Sequence, residues 1–173
     1  MRHKALILLT ALLLLCSGVQ ASPQQDFIDR IAAPAQAILP GYGLWPSVFI
    51  AQSCLESGFG TSYLATEANN YFGRKCGRDP CISVLTPEYR NGIRVLETHY
   101  FQIYGSLDEA IHDYAQKYFR KWLSGEPVYR MDASTPFTFV DSVAGTYATD
   151  PKYAWKVKSI IYEYDLTKYD QEE

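Results

Sequence analysis

The chain has 173 residues, 47% hydrophobic and 20% charged, a balance that excludes a disordered polymer and suits one globular core. Sixteen Lys and Arg against nineteen Asp and Glu give a formal charge of −3 with no basic stripe, so no nucleic-acid partner is expected.

At the N-terminus, Arg2, His3 and Lys4 precede the uncharged run Ala5 to Cys16, and Val19-Gln20-Ala21 supplies a small-x-small pattern. This predicts a signal peptide over residues 1–21 and an exported domain over 22–173, periplasmic or secreted. The apolar run falls short of the roughly 20 residues that cross a bilayer, and no later run is longer, so no stable membrane span is expected. Cys16 before Ser17-Gly18 supports a rival reading, a lipoprotein anchored through Cys16, which Leu15 weakens because a small residue is usual there. Loss of Arg2 and Lys4 with the leader takes the charge from −3 to −5, and a monomer is expected.

The first mature helix is predicted over about Pro23 to Ile38, from the spacing of Phe27, Ile28, Ile31, Ala35 and Ile38, with a bend at Pro34 and a stop at Pro40-Gly41-Tyr42-Gly43. A second opens at Pro46, a residue suited to the first helical position, and runs to Gly58, so Glu56 falls in its last turn. Two β-rich runs, Ile82 to Thr86 and Ile93 to Tyr104, flank Asn91-Gly92, the dipeptide of a tight type I′ turn, and predict a hairpin. Helical spacing resumes after Ser106, which with Glu109 forms a capping-box pattern ahead of Leu107, Ala110, Ile111, Tyr114, Ala115, Tyr118, Phe119 and Trp122. Two more helices are predicted, from Pro136 to about Ala144 after Thr135, and from Pro151 to about Tyr164 after Asp150. The fold class is α+β, mostly α.

Cys76 and Cys81 bracket the turn residues Gly77-Arg78-Asp79-Pro80 and are expected to pair in an oxidising compartment. Two free thiols, or half of a metal site, are the alternatives. No second Cys/His pair lies near enough in sequence to complete such a site, so no metal and no cofactor is expected. Chemistry is sought instead at Glu56, which sits at a helix C-terminus beside Phe59 and Tyr63. Both the negative end of the helix dipole and the apolar neighbours raise a carboxylate pKa, as a general acid requires. A plain solvent-facing glutamate has the same local sequence.

The run Ala51-Gln52-Ser53-Cys54-Leu55-Glu56-Ser57-Gly58-Phe59-Gly60, followed by Asn69-Asn70-Tyr71-Phe72-Gly73-Arg74-Lys75, resembles the glucosaminidase domain of glycoside hydrolase family 73. The resemblance continues through Thr86 to Gly92 and Phe101 to Ser106, and ends in Tyr147-Ala148-Thr149-Asp150-Pro151-Lys152-Tyr153-Ala154. It implies a lysozyme-like α-lobe facing a small β-hairpin lobe across a glycan cleft, and an enzyme that cuts peptidoglycan glycan strands. It further implies three catalytic residues: Glu56 as the acid, Glu88 on the hairpin as the second catalytic carboxylate, and Tyr147 on the opposite wall, its hydroxyl positioning the sugar at the cut bond. Phe59, Tyr63, Asn70, Tyr71, Phe72, Gly73 and Tyr89 are the implied substrate-binding set, and Tyr100 and Tyr104 lie near the same cleft. For Glu88 an edge-guarding strand or turn residue, and for Tyr147 a packed cap, are the bland alternatives.

The chain departs from the family pattern. Phe59 stands where tryptophan is usual, Cys54 where alanine is, and Tyr71 and Arg74 where leucine and isoleucine are. Arg74 either meets a peptide-stem carboxylate or faces water. The activity expected is an endo-β-N-acetylglucosaminidase. Rivals are a lytic transglycosylase of the same fold, a non-catalytic glycan-binding scaffold, and a thiol peptidase using Cys54 with His99 or His112. The last is disfavoured because Cys54 lies inside a helix, away from the N-terminus that lowers a thiol pKa.

Overall fold

The computed structural model describes residues 22–90, 93–123, 135–148 and 150–170, with the side chains of 87–90, 119–123 and 146 left aside. The expected leader at 1–21 and the Asn91-Gly92 turn lie outside the described residues.

Helix α1 spans Pro23–Ile38 and is capped by Ser22, whose hydroxyl accepts from the Gln25 amide. It continues through Pro34 without a break. A 3-10 turn, Leu39–Tyr42, ends on the left-handed Gly43 and leads into α2, Pro46–Ser57, which closes on the left-handed Gly58. Nearly every residue of α2 is buried, including the polar Ser47, Gln52, Ser53 and Ser57, because α1, α5, α6 and the C-terminal turn all pack around it. A short helix α3, Tyr63–Ala68, follows; it was not anticipated, since its six residues carry too little periodicity to be read.

Strands β1 (Cys81–Arg90) and β2 (Ile93–Gln102) form an antiparallel ribbon whose register pairs Arg90 with Ile93, so residues 91 and 92 make the connection. The ribbon exposes Leu85, Ile93, Leu96 and Tyr100, and a two-stranded sheet of this kind depends on its base for stability. That base is tied in three ways. Cys76 and Cys81 are disulfide-bonded across a Cα separation of 5.8 Å. Buried Gln102 accepts from the Gly77 and Arg78 amides and donates to the Pro80 carbonyl. Asn70 bonds the Arg74 and Gln102 carbonyls through its amide and the Arg74 amide through its oxygen, each at 2.9 Å.

Helix α4, Leu107–Leu123, carries the expected cap with one shift: Ser106 accepts from the Glu109 amide, while the Glu109 carboxylate reaches back to the Gly105 amide. Helix α5, Pro136–Tyr147, begins with a Thr135/Thr138 capping box and runs three residues beyond the expected Ala144. Helix α6 covers Tyr153–Glu163, two residues later than expected at its start, because Pro151 and Lys152 form a turn on Asp150, which accepts from the Lys152 amide at 2.8 Å. A final 3-10 helix, Leu166–Asp170, returns to the start of α2. There Asp170 accepts from both the amide and the hydroxyl of Ser47, at 2.8 and 2.7 Å. The core joins Ile28, Ile31, Phe49, Ile50, Ile111, Phe139, Val157 and Ile161 across the helices. Among the described residues no helix is long and apolar enough to cross a membrane.

Candidate active site

Glu56 is the penultimate residue of α2. The turn after it is built from three successive left-handed residues, Gly58, Phe59 and Gly60, with φ of 58°, 56° and 75°. Gly60 has no alternative there: a Cβ would stand 2.4 Å from the Phe27 ring. Ser57 fastens the turn by accepting from the Gly60 amide at 2.7 Å. The result fixes Phe59 between Phe27 and Tyr164, with ring centroids 6.5 and 5.5 Å away, and leaves Glu56 open to solvent on one side.

On its other sides Glu56 is crowded by protein. Desolvation raises its pKa above the ordinary carboxylate value, against the hydrogen bond from the Tyr153 hydroxyl and the charge of Lys156, which both pull it down. Tyr153 does not act alone. Gln52, one turn before Glu56 on α2, donates to the Tyr153 oxygen at 3.0 Å, and Tyr114 of α4 donates to the Gln52 carbonyl oxygen. Tyr114, Gln52, Tyr153 and Glu56 thus form a directed hydrogen-bond chain from the core to the surface carboxylate, each member fixed by the one behind it. Its buried tyrosines keep their protons, since burial pushes the phenol of each far above its usual range.

Tyr147 ends α5 and stacks on Tyr153, ring centroids 5.1 Å apart. It borders an open pocket of about 630 Å³, mouth included, that Phe72, Gly73, Arg74 and Lys75 line from one side and Asp113 and Lys117 of α4 from the other. Glu88 lies on β1 opposite Val95, and Tyr89 opposite Arg94, toward the free end of the ribbon.

The structure separates the expected substrate-binding set into two groups. Tyr63 is exposed, Gly73 open, and Phe59 and Phe72 half-buried, so each offers a surface, while the Tyr89 side chain lies outside the description. Asn70 and Tyr71 form the other group, buried at 1% and 5% exposure. All the Asn70 contacts go to backbone of the hairpin base, and the Tyr71 ring packs 5.9 Å from Phe27 in the core. Tyr104 is likewise buried, its hydroxyl bonded to Asp113 at 2.8 Å. Gln52 and Tyr153, which lead the hydrogen-bond chain to Glu56, are not among the residues expected from the sequence. The signal was present in Gln52 and Glu56 at i and i+4, one face of α2, but the partner came from a helix a hundred residues away.

The thiol-peptidase reading fails on Cys54, which is 1% exposed and whose thiol burial pushes up to about 12, the reverse of an activated nucleophile. His112 meets the Tyr42 hydroxyl at 3.3 Å, far from that role. Among the described residues no group of three or more His, Cys, Asp or Glu side chains could hold a metal ion.

Known proteins share this chain's sequence pattern and fold. Residues 32–166 match the glucosaminidase family model, described as mannosyl-glycoprotein endo-beta-N-acetylglucosaminidase. The exo-glucosaminidase LytG of Bacillus subtilis is 35% identical over 152 residues, 86% of this chain and 54% of that protein. The peptidoglycan hydrolase FlgJ of Pseudomonas aeruginosa is 33% identical over 78% of this chain and 35% of its own length. The chain therefore spans about half, or less, of these relatives. The catalytic domain of the autolysin Auto from Listeria monocytogenes superimposes with a TM-score of 0.79 at 32% identity, covering 87% of this chain and 89% of that one.

Proposed function

The chain belongs to the glucosaminidase family, and from that premise we propose that it is an exported, monomeric endo-β-N-acetylglucosaminidase acting on the glycan strands of peptidoglycan. It hydrolyses the β-1,4 bond after N-acetylglucosamine. The observation that carries this reading is Glu56, a solvent-open carboxyl whose pKa is raised by its surroundings and whose orientation is set by the Tyr153 hydroxyl.

Protonated Glu56 delivers its proton to the glycosidic oxygen as the bond to the anomeric carbon breaks, so the departing sugar leaves as an alcohol rather than an alkoxide. Water then adds at the anomeric carbon. Its proton passes to Glu88 in an inverting path, or back to Glu56 if the substrate's own acetamido group has first closed on the anomeric carbon. The position of Glu88 toward the free end of a ribbon tied at its base is compatible with either. Tyr147 positions the sugar at the cut bond, and Phe59, Tyr63 and Phe72 supply apolar surface to sugar rings. Residues 1–21 direct export and are removed near Ser22.

Mass spectrometry of fragments released from purified peptidoglycan by the mature protein tests the reading. Fragments ending in reducing N-acetylglucosamine are expected. Anhydro products would make it a lytic transglycosylase, and no release would leave a glycan-binding scaffold.

A further inference from the structure

The pocket beside Tyr147 shares Phe72 and Tyr147 with the proposed sugar-binding surface and extends beyond them to walls that are strongly one-sided in charge. Three cations, Arg74, Lys75 and Lys117, line it with one carboxylate, Asp113, in a chain whose formal charge is −3. Asp113 is already engaged: it accepts from the Tyr104 hydroxyl and from Arg74 Nε, at 2.8 and 3.2 Å. The Arg74 bond is made through Nε, and the side chain remains 44% exposed, so Asp113 holds the group in place without covering it. The Arg74 backbone is fixed independently, by Asn70 on both its amide and its carbonyl. The two lysines are also seated. Lys75 Nζ lies 4.1 Å from the Phe101 ring centroid and Lys117 Nζ 5.6 Å from that of Tyr147. Three cationic residues among the lining of an open pocket suit a carboxylate, which guanidinium and ammonium groups bind through charge-assisted hydrogen bonds.

We propose that this pocket is an anion subsite that takes a free carboxylate of the peptide stem carried by the substrate's glycan strand, through Arg74, Lys75 and Lys117. The identity of the ligand rests on the peptidoglycan reading above, because that polymer attaches a carboxylate-bearing peptide to alternate sugars. The subsite adjoins the reaction centre through one ring: Tyr147 borders the pocket and stacks on Tyr153, which bonds Glu56. Strands with free stem carboxylates are thereby distinguished from bare or amidated strands of the same sugars.

Binding separates this proposal from the activity. A soluble disaccharide-peptide with free carboxylates and its fully amidated counterpart are titrated into the parent protein, with Arg74→Gln and the Lys75→Gln, Lys117→Gln double variant alongside. The parent is expected to prefer the free acid about tenfold, and salt to erode that preference. Each variant should bring the two ligands to nearly equal affinity while far-ultraviolet circular dichroism and the melting transition show the fold retained. The double variant leaves the Arg74–Asp113 pair intact, so a folding defect in Arg74→Gln alone does not decide the outcome. Equal affinity of the parent for acid and amide, or a preference that survives both variants, overturns the subsite. Absence of glycan cleavage by a parent that still discriminates the ligands would instead overturn the hydrolase reading and leave the subsite standing.

Discussion

Tyr147 lies flat on Tyr153, their rings 5.1 Å apart and inclined by only 22°. Five residues lie between them, and in this segment Asp150 turns the chain, accepting from the Lys152 amide and pairing with Lys156 Nζ at 2.7 Å. The turn therefore does two things at once: it brings Tyr147 to the pocket and sets the Tyr153 hydroxyl against Glu56.

Because the Tyr153 hydrogen bond favours ionised Glu56, its removal must raise the Glu56 pKa further. A general acid loses activity as pH rises through its pKa, so Tyr153→Phe should move the alkaline limb of the pH–rate profile upward while lowering kcat about tenfold by releasing the carboxyl. A Tyr153→Phe enzyme whose limb stays at the parent's pH would show that the tyrosine serves packing alone.

Glu56→Gln keeps the Tyr153 bond through the amide oxygen but has no proton to give. Loss of a positioned acid costs about 10² to 10⁴ in rate. Stability should not fall with it. A carboxyl whose folded pKa exceeds the unfolded one contributes stability at low pH that is lost as pH rises through the folded value, so at pH 7 the ionised group costs the fold something that an amide does not. Calorimetry at pH 7 should find Tm equal to or above the parent's, and turnover within threefold of the parent would remove Glu56 from the chemistry.

If Glu88 activates water, Glu88→Gln should reduce kcat far more than it raises KM, because that help is given only on the way to the transition state. Single-turnover kinetics on a defined glycan, with and without azide, read this out. Rescue by the small nucleophile supports a base or nucleophile, a loss milder than that of Glu56→Gln supports a residue that orients the acetamido group, and parental rates exclude both.

Asp170 binds the amide and hydroxyl of Ser47 in the first turn of α2, the helix that ends in Glu56. Its carboxyl pKa is raised by burial, against those two hydrogen bonds, yet the bonds satisfy a helix N-terminus that is otherwise buried. Asp170→Ala should cost about 0.5–2 kcal/mol in urea denaturation. An unchanged midpoint would mean the C-terminal turn does not hold α2.

The Cys76–Cys81 disulfide closes a short loop, and chain entropy assigns such a bridge about 2 kcal/mol. Intact mass of the exported protein should show a start near Ser22 and two cysteines protected from alkylation. A lipidated Cys16, or three reactive thiols, would contradict one half of this expectation each.

Local signals carried much of the architecture. Pro46 and Gly58 bounded α2, Thr135 opened α5, and the Cys76, Cys81 spacing gave the bridge, because caps, fixed φ and short loops act within a few residues. The limits of the same reasoning fall on α3 and the Leu166–Asp170 turn, whose lengths are below what periodicity resolves. Tyr71 and Tyr104 read as cleft residues and both are buried, Tyr104 at the pocket wall with its hydroxyl on Asp113, since a tyrosine suits either environment.

What the sequence by itself determined is the local setting of the candidate acid: Glu56 in the last turn of a helix, closed by Gly58 and Gly60, within motifs that resemble one family. What only the tertiary structure decided is the environment that gives this carboxyl its character. Gln52 and Glu56 come from α2, Tyr114 from α4 and Tyr153 from α6, and the cations of the neighbouring pocket from the hairpin's approach and α4. Hydrogen bonds and desolvation act over a few ångströms of space regardless of distance along the chain, so a pKa and a binding pocket are properties of the packed core and cannot be read from neighbours in sequence.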